Sequence, residues 1–423
     1  MILYVHPKTE MVFKTILPMS LPALINRLDM DSVVGRFHNE WTDHEVKEAK
    51  IIIMDIHWYL SIPSAIRLSF KFKLINKNSI IIAGGLSASI FSKEILRDSA
   101  IDYIVLGDGE KPLYCLIKAL LTNKAINSVP NIAGREFISD HWYSLTSEDM
   151  DESNYRNISF FPSMEKKVFK LHDHCKGRPF STFPFLVVFR GCTTNCNGCY
   201  GAKKVQLQLF KRLQVVRSAE KVKEDLVAWN DNTRIKFVNI FHDFINMLGA
   251  NYTAEILNRP YDLHLYYDFY RLPSEKDIQL LTQSFQGGII SLPIDRYHVT
   301  SGDLTDTTLL CKRIEQIKAT NRFDVRLCYS RNYAMQNTEY RDALDKIYKA
   351  TDCIKYRADF WWEDFLLSGK NGEYISKQYM KYLSSSNRFY VTNRLFQAGV
   401  FMHRFAPNFV RFADKNFRKF IER

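Results

Sequence analysis

The sequence predicts an α/β protein built from a doubly wound parallel sheet, a partial β/α barrel of six strands and a small helical C-terminal region. Apolar runs of strand length alternate with helical segments over the first 120 residues, which is the pattern of a parallel sheet with helices on both faces. The alternation resumes after residue 180, and phenylalanines recur at helical spacing near the end of the chain. The expected boundaries are 1–122 for the sheet domain, 123–180 for a connector, 181–368 for the barrel and 369–423 for the C-terminal region.

The composition is that of a globular protein. A chain of 423 residues with 46% hydrophobic residues can bury a core in two or three domains. Eight cysteines are too few for a disulfide scaffold, and three fall in one short window, so we expect a reducing, cytoplasmic compartment. No apolar run approaches the roughly 18 residues of a membrane span, and Lys8, Glu10 and Lys14 interrupt any secretory segment. We therefore expect neither a membrane span nor a secretory signal.

In the first domain, strands are predicted at residues 2–5, 32–34, 49–54, 79–83 and 103–106, with a helix at 64–74. Glycine turns follow the last two strands: Gly84, Gly85 and Ser87 after one, and Gly107, Gly109 and Glu110 after the other. Open α/β sheets bind ligands outside the carboxyl ends of their strands, and glycine lets the backbone approach a flat or anionic group closely. These two turns predict a cofactor crevice.

The strands of the barrel are predicted at 185–189, 236–241, 263–267, 288–292, 324–328 and 353–356. In a β/α barrel the catalytic groups sit at the carboxyl ends of the strands. Polar candidates for holding a cofactor there are His242, Asp243, Asp268, Ser291, Asp295 and Ser330. The alternative for each of them is an ordinary hydrogen bond at a strand end.

Three cysteines, Cys192, Cys196 and Cys199, follow the first barrel strand at C-x3-C-x2-C spacing. Thiolates so spaced on a polar loop can bind one iron–sulfur cluster, yet they supply only three of the four ligands of a closed four-iron cluster. One iron is then left open, and an open position marks a metal site that performs chemistry. The alternatives are three unrelated cysteines or a zinc knuckle with His174 or Cys175 as its fourth ligand. Residues 172–175, which include these two, are otherwise predicted to form the edge of a polar hairpin.

The cysteine spacing after an Arg-Gly pair, the Ile-Ile-Ile-Ala-Gly-Gly-Leu-Ser stretch from Ile80, and residues 101–110 together resemble the cobalamin-binding radical S-adenosylmethionine (SAM) proteins. The order of the two domains is also typical of that family. The sequence departs from the family pattern at Gly198, where many members carry an aromatic residue. It departs again at 241–244, where Phe-His-Asp-Phe stands in place of two glycines and an acid.

The resemblance implies a [4Fe–4S] cluster on the three cysteines, whose open iron binds the amino and carboxylate groups of SAM. It also implies that His242, Asp243, Asp268 and Ser291 hold parts of SAM, and that cobalamin occupies the crevice of the first domain. An electron from a donor such as flavodoxin or ferredoxin would cleave SAM into methionine and a 5′-deoxyadenosyl radical. The expected reaction is cobalamin-dependent methylation of an unactivated carbon in an unidentified organic substrate, with radical cyclisation or rearrangement as the alternative.

Asp55 and His57 form an Asp-x-His pair, which opens the motif by which some cobalamin proteins supply histidine as a cobalt ligand. The glycine expected three residues after the histidine is Leu60, and the pair follows the third strand of the domain instead of the first. We therefore expect cobalamin bound without a protein histidine at cobalt, with His57 near the edge of the ring. Direct ligation by His57 and a buried structural histidine are the alternatives.

Charge leaves a second class of function open. The net charge is +12, and residues 371–423 carry ten lysines and arginines against three acids. Basic residues interleaved with aromatic ones can bind nucleic acid or an anionic membrane surface. The helical spacing of the phenylalanines instead favours a terminal helix that packs against the barrel. The alternative from another class is thus a non-catalytic iron–sulfur or zinc protein that binds nucleic acid.

Overall fold

The computed structural model describes residues 1–8, 18–28, 33–175, 183–195, 202–295, 304–330, 337–351, 354–358 and 379. Two main sheets of largely parallel strands, with helices between the strands, make up this part of the chain. The α/β class predicted from the sequence is thus confirmed. Cys196, Cys199 and the predicted C-terminal region, apart from Tyr379, lie outside the described residues.

The first sheet takes its strands from the N-terminal part of the chain. They are β1 (Ile2–His6), β2 (Val33–Phe37), β3 (Ile51–Asp55), β4 (Ile80–Gly84), β5 (Tyr103–Val105) and β6 (Ile132–Ala133). The order across the sheet is β2-β1-β3-β4-β5-β6, and only β6, at the edge, is antiparallel to its neighbour among these described strands. All five strands predicted for this sheet are present, and the predicted parallel sheet is confirmed.

Helices and a short 3₁₀ helix (Tyr59–Ser61) connect these strands. The helices are α1 (Leu21–Asn26), α2 (Asp43–Glu48), α3 (Ile62–Ile75), α4 (Leu86–Ile90), α5 (Ser92–Asp98), α6 (Glu110–Leu121), α7 (Ser147–Asp151) and α8 (Pro162–Cys175). Two separate apolar cores flank the sheet, one containing Ile52 and Phe72, the other Tyr4 and Leu116. Burial on both faces explains why β3 begins with an unbroken apolar run instead of alternating with polar residues.

Residues 172–175 form the end of helix α8, so their predicted position on a hairpin edge is wrong. Met164, Val168 and His172 are buried and recur every four residues along this helix. His172 is hydrogen-bonded through both ring nitrogens. The helical period of the buried side chains outweighs the polar residues at the end of the segment.

The segment predicted as the first barrel strand, 185–189, divides into two parts. Phe185 forms a parallel bridge to Asn239. The end of the segment instead contributes to β7 (Phe189–Arg190), which pairs antiparallel with β8 (Val215–Val216). A pattern of apolar residues cannot reveal that β8 returns to pair here, so the sequence predicts one longer barrel strand.

The second sheet consists of five parallel strands. They are β9 (Phe237–Ile240), β10 (Tyr261–Asp268), β11 (Phe285–Pro293), β12 (Phe323–Ser330) and β13 (Ile354–Ala358). Their order is β13-β12-β11-β10-β9, so strands that follow one another in the chain also lie side by side. All five had been predicted from the sequence, and their carboxyl ends meet at one edge of the sheet.

The remaining helices lie among these strands in the chain. They are α9 (Lys203–Phe210), α10 (Ala219–Asp231), α11 (Phe244–Leu248), α12 (Ala250–Ile256), α13 (Glu275–Ser284), α14 (Thr307–Ala319) and α15 (Thr338–Thr351). One apolar core, including Leu226, Leu265 and Ile314, packs helices against the second sheet. None of the described helices is long and apolar enough to cross a membrane.

Candidate functional site

The cysteine loop begins directly after β7. Gly191 has a φ of +87°, and a Cβ there would lie 3.1 Å from side-chain atoms of Arg212 and Gln206, so glycine suits this turn. Cys192 follows and is half-buried. Its Sγ lies 3.0 Å from Thr194 Oγ1 and accepts a hydrogen bond from the Thr194 amide at 3.5 Å. The deprotonated sulfur of cysteine is the form that binds metal.

The two described ends of the cysteine loop are held together. The Lys203 amide donates to Thr194 O at 2.8 Å, and the Lys204 amide donates to Asn195 Oδ1 at 3.0 Å. The second and third cysteines of the motif fall between these ends in the sequence and lie outside the described residues. Among the residues that are described, no three His, Cys, Asp or Glu side chains form a metal-binding group. The cysteine cluster therefore stays a prediction.

Two arginines flank the cysteine loop, and two acids of the first sheet pair with them. Arg190 donates to Glu110 at 2.5 Å and to Asp108 at 3.2 Å. Arg212 donates to both carboxylate oxygens of Asp108, at 2.6 and 2.8 Å. We call these four residues the inter-sheet ion-pair cluster. Because Asp108 lies in the turn between β5 and α6, and Glu110 is the first residue of α6, the cluster holds the cysteine loop at the carboxyl edge of the first sheet.

The two acids of the inter-sheet ion-pair cluster are buried, whereas the side chain of Arg190 is 19% exposed. Asp108 and Glu110 are 0% and 1% exposed, so loss of one partner would leave a charge unpaired away from water. Glu110 was predicted from the sequence as a cofactor-binding residue, whereas its ion-pair cluster with Asp108, Arg190 and Arg212 was not predicted. Glu110 Oε1 accepts from Arg190, whereas Oε2 is buried without a hydrogen-bond partner among the described residues. Charge complementarity could have revealed the cluster, since two acids share one glycine turn and two arginines flank the cysteines.

The turns after β3, β4 and β5 pack against one another. Gly85 has a φ of +106°, and a Cβ there would lie 2.9 Å from the His57 backbone. Ser87 donates to His57 O through its amide at 3.3 Å and its hydroxyl at 3.0 Å. Gly107 has a φ of +62°, and its amide donates to Ser89 Oγ at 3.0 Å. The other two predicted glycines, Gly84 and Gly109, end β4 and precede α6. The predicted crevice residues thus share one edge of the sheet.

Replacing Gly85 by alanine is expected to lower the free energy of unfolding by about 1–3 kcal/mol, because alanine is strained at this φ and its Cβ meets backbone. The matched control is Gly84→Ala, whose Cβ would have its nearest neighbours at 3.7 Å. Urea unfolding followed by circular dichroism measures both variants. Equal losses of stability in the two variants would contradict this account of the turn.

The carboxylate of Asp55 is bonded to β1. The Tyr4 hydroxyl donates to Asp55 Oδ1 at 2.5 Å, and His6 Nδ1 lies 2.8 Å from the same oxygen. His57 is the partner of Asp55 that the sequence motif indicates. It is half-buried and lies just after the end of β3. Burial lowers the pKa of His57 to about 4, a shift that Asp55 opposes and Arg190 reinforces. His57 is therefore neutral at pH 7 and lies in the field of the arginine that precedes the cysteines.

His242 supports the chain that leads into the cysteine loop. Its Nδ1 accepts hydrogen bonds from the amides of Val188 and Phe189, at 3.2 and 3.4 Å. Burial, reinforced by the charge of Arg190, lowers the pKa of His242 to about 3. The ring is therefore neutral, with its proton on Nε2.

Asp243 caps helix α11 and is fully buried. Its carboxylate accepts hydrogen bonds from the amide and side chain of Asn246, the hydroxyl of Tyr267 and the amide of Tyr270. Burial raises the pKa of Asp243 to about 6, although these hydrogen bonds oppose the shift. The described hydrogen bonds of Asp243 thus come from other residues of this protein.

A polar row crosses the second sheet near its carboxyl edge. Asp268 of β10 is paired with Ser291 of β11, which is paired in turn with Arg326 of β12. The alternation of side chains along a strand directs this row away from the apolar core that contains Tyr267. Tyr266 donates to Asp268 at 3.2 Å, and its ring centre lies 5.7 Å from the Arg326 guanidinium carbon. The sequence predicted Asp268 and Ser291 but missed the other two, because only strand register brings them together.

Burial raises the pKa of Asp268 to about 6, while Ser291, Tyr266 and Arg326 lower it. Because folding raises this pKa, the contribution of Asp268 to stability is complete below about pH 4 and is lost as pH rises through about 6. We expect an infrared band of a protonated carboxyl group that disappears with a midpoint near pH 6. Asp268→Asn should remove that part of the band, whereas Asp262→Asn, at an exposed position of the same strand, should not. A titration midpoint near pH 4 would contradict the burial argument.

No protein-family model matches the chain, and no curated protein matches its sequence. Solved structures do match its fold. The radical SAM methyltransferase TsrM from Kitasatospora setae, with tryptophan substrate and the SAM analogue aza-SAM bound, matches with a TM-score of 0.61 and 14% identity over 84% of this chain and 72% of that one. Another TsrM structure, with cobalamin and a [4Fe–4S] cluster bound, gives a TM-score of 0.60 at 12% identity, over 84% of this chain and 71% of that one.

The cobalamin-dependent SAM radical enzyme OxsB, with aqua-cobalamin and SAM bound, matches with a TM-score of 0.56 and 14% identity. The alignment covers 92% of this chain and 56% of OxsB, so the chain spans little more than half of that enzyme. The chain has the fold of cobalamin-dependent radical SAM enzymes. The resemblance predicted from the cysteine spacing and the glycine turns is thus confirmed for the fold.

Proposed function

We propose that this chain is a cobalamin-dependent radical SAM enzyme that methylates an unactivated carbon of an organic substrate. The observation that carries the proposal is the pairing of Arg190 with Asp108 and Glu110. This pairing holds the cysteine loop, which follows β7, against the glycine turns of the first sheet. A cluster on the loop and a cofactor in the crevice would then share one site. The proposed domains are 1–122, 181–368 and 369–423, with 123–180 between the first two.

The residues present fit the three groups that this function needs. Cys192, Cys196 and Cys199 would hold the cluster, and the Thr194 amide donates to Cys192 Sγ. Residues proposed to hold SAM are His242, Asp243, Asp268 and Ser291. Residues proposed to line the cobalamin crevice are Asp55, His57, Gly84, Gly85, Ser87, Gly107, Gly109 and Glu110. When bound, the cluster would supply the electron that cleaves SAM, and cobalamin would supply a transferable methyl group.

The side chains of the chain itself prepare this site. Arg190 pairs with Asp108 and Glu110 at the junction, where the burial of the two acids strengthens the electrostatic interaction. His57 and His242 stay neutral because burial and Arg190 disfavour their protonation, so neither adds positive charge beside the cysteine loop. Asp268 belongs to the polar row and has a pKa of about 6, so it can hold or release a proton near neutral pH.

Anaerobic reconstitution tests the proposal. Protein loaded with iron and sulfide in the presence of cobalamin should bind about four irons per chain and one cobalamin. With reductant and SAM it should form methionine and 5′-deoxyadenosine. Binding of one zinc ion with all four ligand positions filled, and no cleavage of SAM, would contradict it in favour of a non-catalytic protein.

The structure of the substrate decides between methyl transfer and the alternative, radical cyclisation or rearrangement. A compound that gains one methyl group from SAM labelled at its methyl carbon would support methyl transfer. A product of unchanged composition, or one that loses hydrogen without gaining carbon, would instead indicate rearrangement or ring closure.

A further inference from the structure

Helix α9 follows the cysteine loop in the chain and is hydrogen-bonded to it. The amide of Lys203, the first residue of the helix, donates to Thr194 O, and the amide of Lys204 donates to Asn195 Oδ1. The helix has eight residues and is therefore about 12 Å long. The surface of α9 consequently lies close to the loop that is proposed to hold the iron–sulfur cluster.

One side of α9 is exposed and positively charged. Its exposed residues follow one another at the helical spacing of three and four positions, and they are Lys204, Leu207, Gln208 and the C-cap Lys211. We call these four residues the α9 face. Residues 174–219, which include the face, contain eight lysines and arginines and no aspartate or glutamate.

The arginines and the lysines of this acid-free stretch differ in their partners. Arg190, Arg212 and Arg217 form ion pairs with acids from other parts of the chain. Neither Lys204 nor Lys211 has an ion pair in the part of the chain that the structure describes. The positive charge of the α9 face is therefore available to an acidic partner.

Large apolar side chains are exposed beside the two lysines. Leu207 is 44% exposed and Trp142 is 37% exposed. The indole N–H of Trp142 donates to Phe210 O at 3.3 Å, and the centre of its ring lies 5.9 Å from Lys211 Nζ. Exposed apolar residues with charged residues around them are typical of protein interfaces. A helix face that only meets solvent would instead expose polar side chains.

We propose that the α9 face and Trp142 form the surface on which an acidic electron-carrier protein docks to reduce the cluster. This inference rests on the proposed function, because the cluster needs an electron before it can cleave SAM. In the docked complex the carrier is oxidised by one electron and the cluster is reduced by the same electron. The rate of electron transfer falls steeply with distance, which favours a surface on the helix that begins at the cysteine loop. Opposite charges accelerate protein association, so the two lysines favour a carrier with acidic residues around its redox group.

Reversal of the two lysine charges tests the docking surface. The test variant is Lys204→Glu/Lys211→Glu in the reconstituted full chain. The control is Lys71→Glu/Lys118→Glu, which changes the net charge equally at exposed lysines of α3 and α6 that also lie over aromatic rings. The two reductants are flavodoxin, an acidic carrier, and dithionite, a small molecule that needs no docking surface. Stopped-flow absorbance measures reduction of the cluster without SAM, and circular dichroism should show both variants to be folded.

In the test variant, the rate constant for reduction by flavodoxin should fall by about tenfold or more at low salt. The difference from the wild type should disappear at high salt, where the charges are screened. Reduction by dithionite should be unchanged, and the control variant should behave as the wild type does with both reductants.

Several results would overturn the inference and leave the proposed function standing. They are an unchanged rate with flavodoxin, an equal loss in the control variant, an equal loss with dithionite, and a wild-type cluster that dithionite reduces but flavodoxin does not. If the rate with flavodoxin is unchanged and the test variant instead loses binding of a single-stranded oligonucleotide, the α9 face binds nucleic acid. A wild-type protein without any reducible cluster overturns both the inference and the proposed function.

Discussion

The Cys192→Ala protein, reconstituted anaerobically with iron and sulfide, is expected to lose the iron–sulfur cluster and all cleavage of SAM. In the proposed site the loop supplies three thiolates for about four irons, and two thiolates would leave half of that cluster without a protein ligand. Iron content should fall from about four per chain to near zero. Production of 5′-deoxyadenosine should fall below detection. Colorimetric iron analysis and chromatography of the reaction mixture measure the two quantities.

The matched controls are Cys115→Ala and Cys311→Ala. Both cysteines are half-buried, as Cys192 is, but neither belongs to the loop. We expect these variants to bind iron and cleave SAM as the wild type does. A Cys192→Ala protein that still binds four irons and cleaves SAM would show that the motif does not hold the cluster.

Replacement of Asp108 by asparagine is expected to have the largest effect on stability. This carboxylate accepts three hydrogen bonds from Arg190 and Arg212 and is fully buried. Its neutralisation leaves the buried guanidinium of Arg212 and the partly buried guanidinium of Arg190 with Glu110 as the remaining acid of the cluster. Breaking a buried ion pair by removing one partner costs about 3–5 kcal/mol. The midpoint of urea unfolding, followed by circular dichroism, should fall accordingly.

A matched surface substitution separates burial from charge. Glu224 pairs with Lys221 at 2.9 Å along helix α10, and both side chains are largely in water. Glu224→Gln removes a carboxylate and an ion pair, as Asp108→Asn does, yet it should leave the unfolding midpoint nearly unchanged. Similar shifts in both variants would show that the inter-sheet ion-pair cluster contributes no more than an exposed pair.

The parallel strands were predictable because their signal is local. Burial on both faces makes β3 continuously apolar, and glycines mark the ends of β4 and β5, so the residues themselves carry the information. Strand limits agree with the structure to within a few residues. The cysteine spacing is equally local, and it led to the family whose fold the chain has.

Contacts between distant parts of the chain were not predictable in the same way. The sequence paired Asp55 with His57 because they are neighbours in a motif, whereas the fold pairs Asp55 with His6, whose strand lies alongside. Asp108 and Arg212 are 104 positions apart, and only the tertiary fold brings them together. Residues 172–175 were misassigned because their polar side chains conceal the helical period that precedes them.

Asp108 also closes a ring within the chain. The segment that begins at Arg190 and ends at Arg212 is hydrogen-bonded to this carboxylate at both ends, and its sequence contains the whole cysteine motif. A change of length inside that segment would therefore leave both of its anchors in place, while a shift of Asp108 would displace the two ends together. Anyone transplanting the motif into another protein would need to move the segment and supply an acid to receive it.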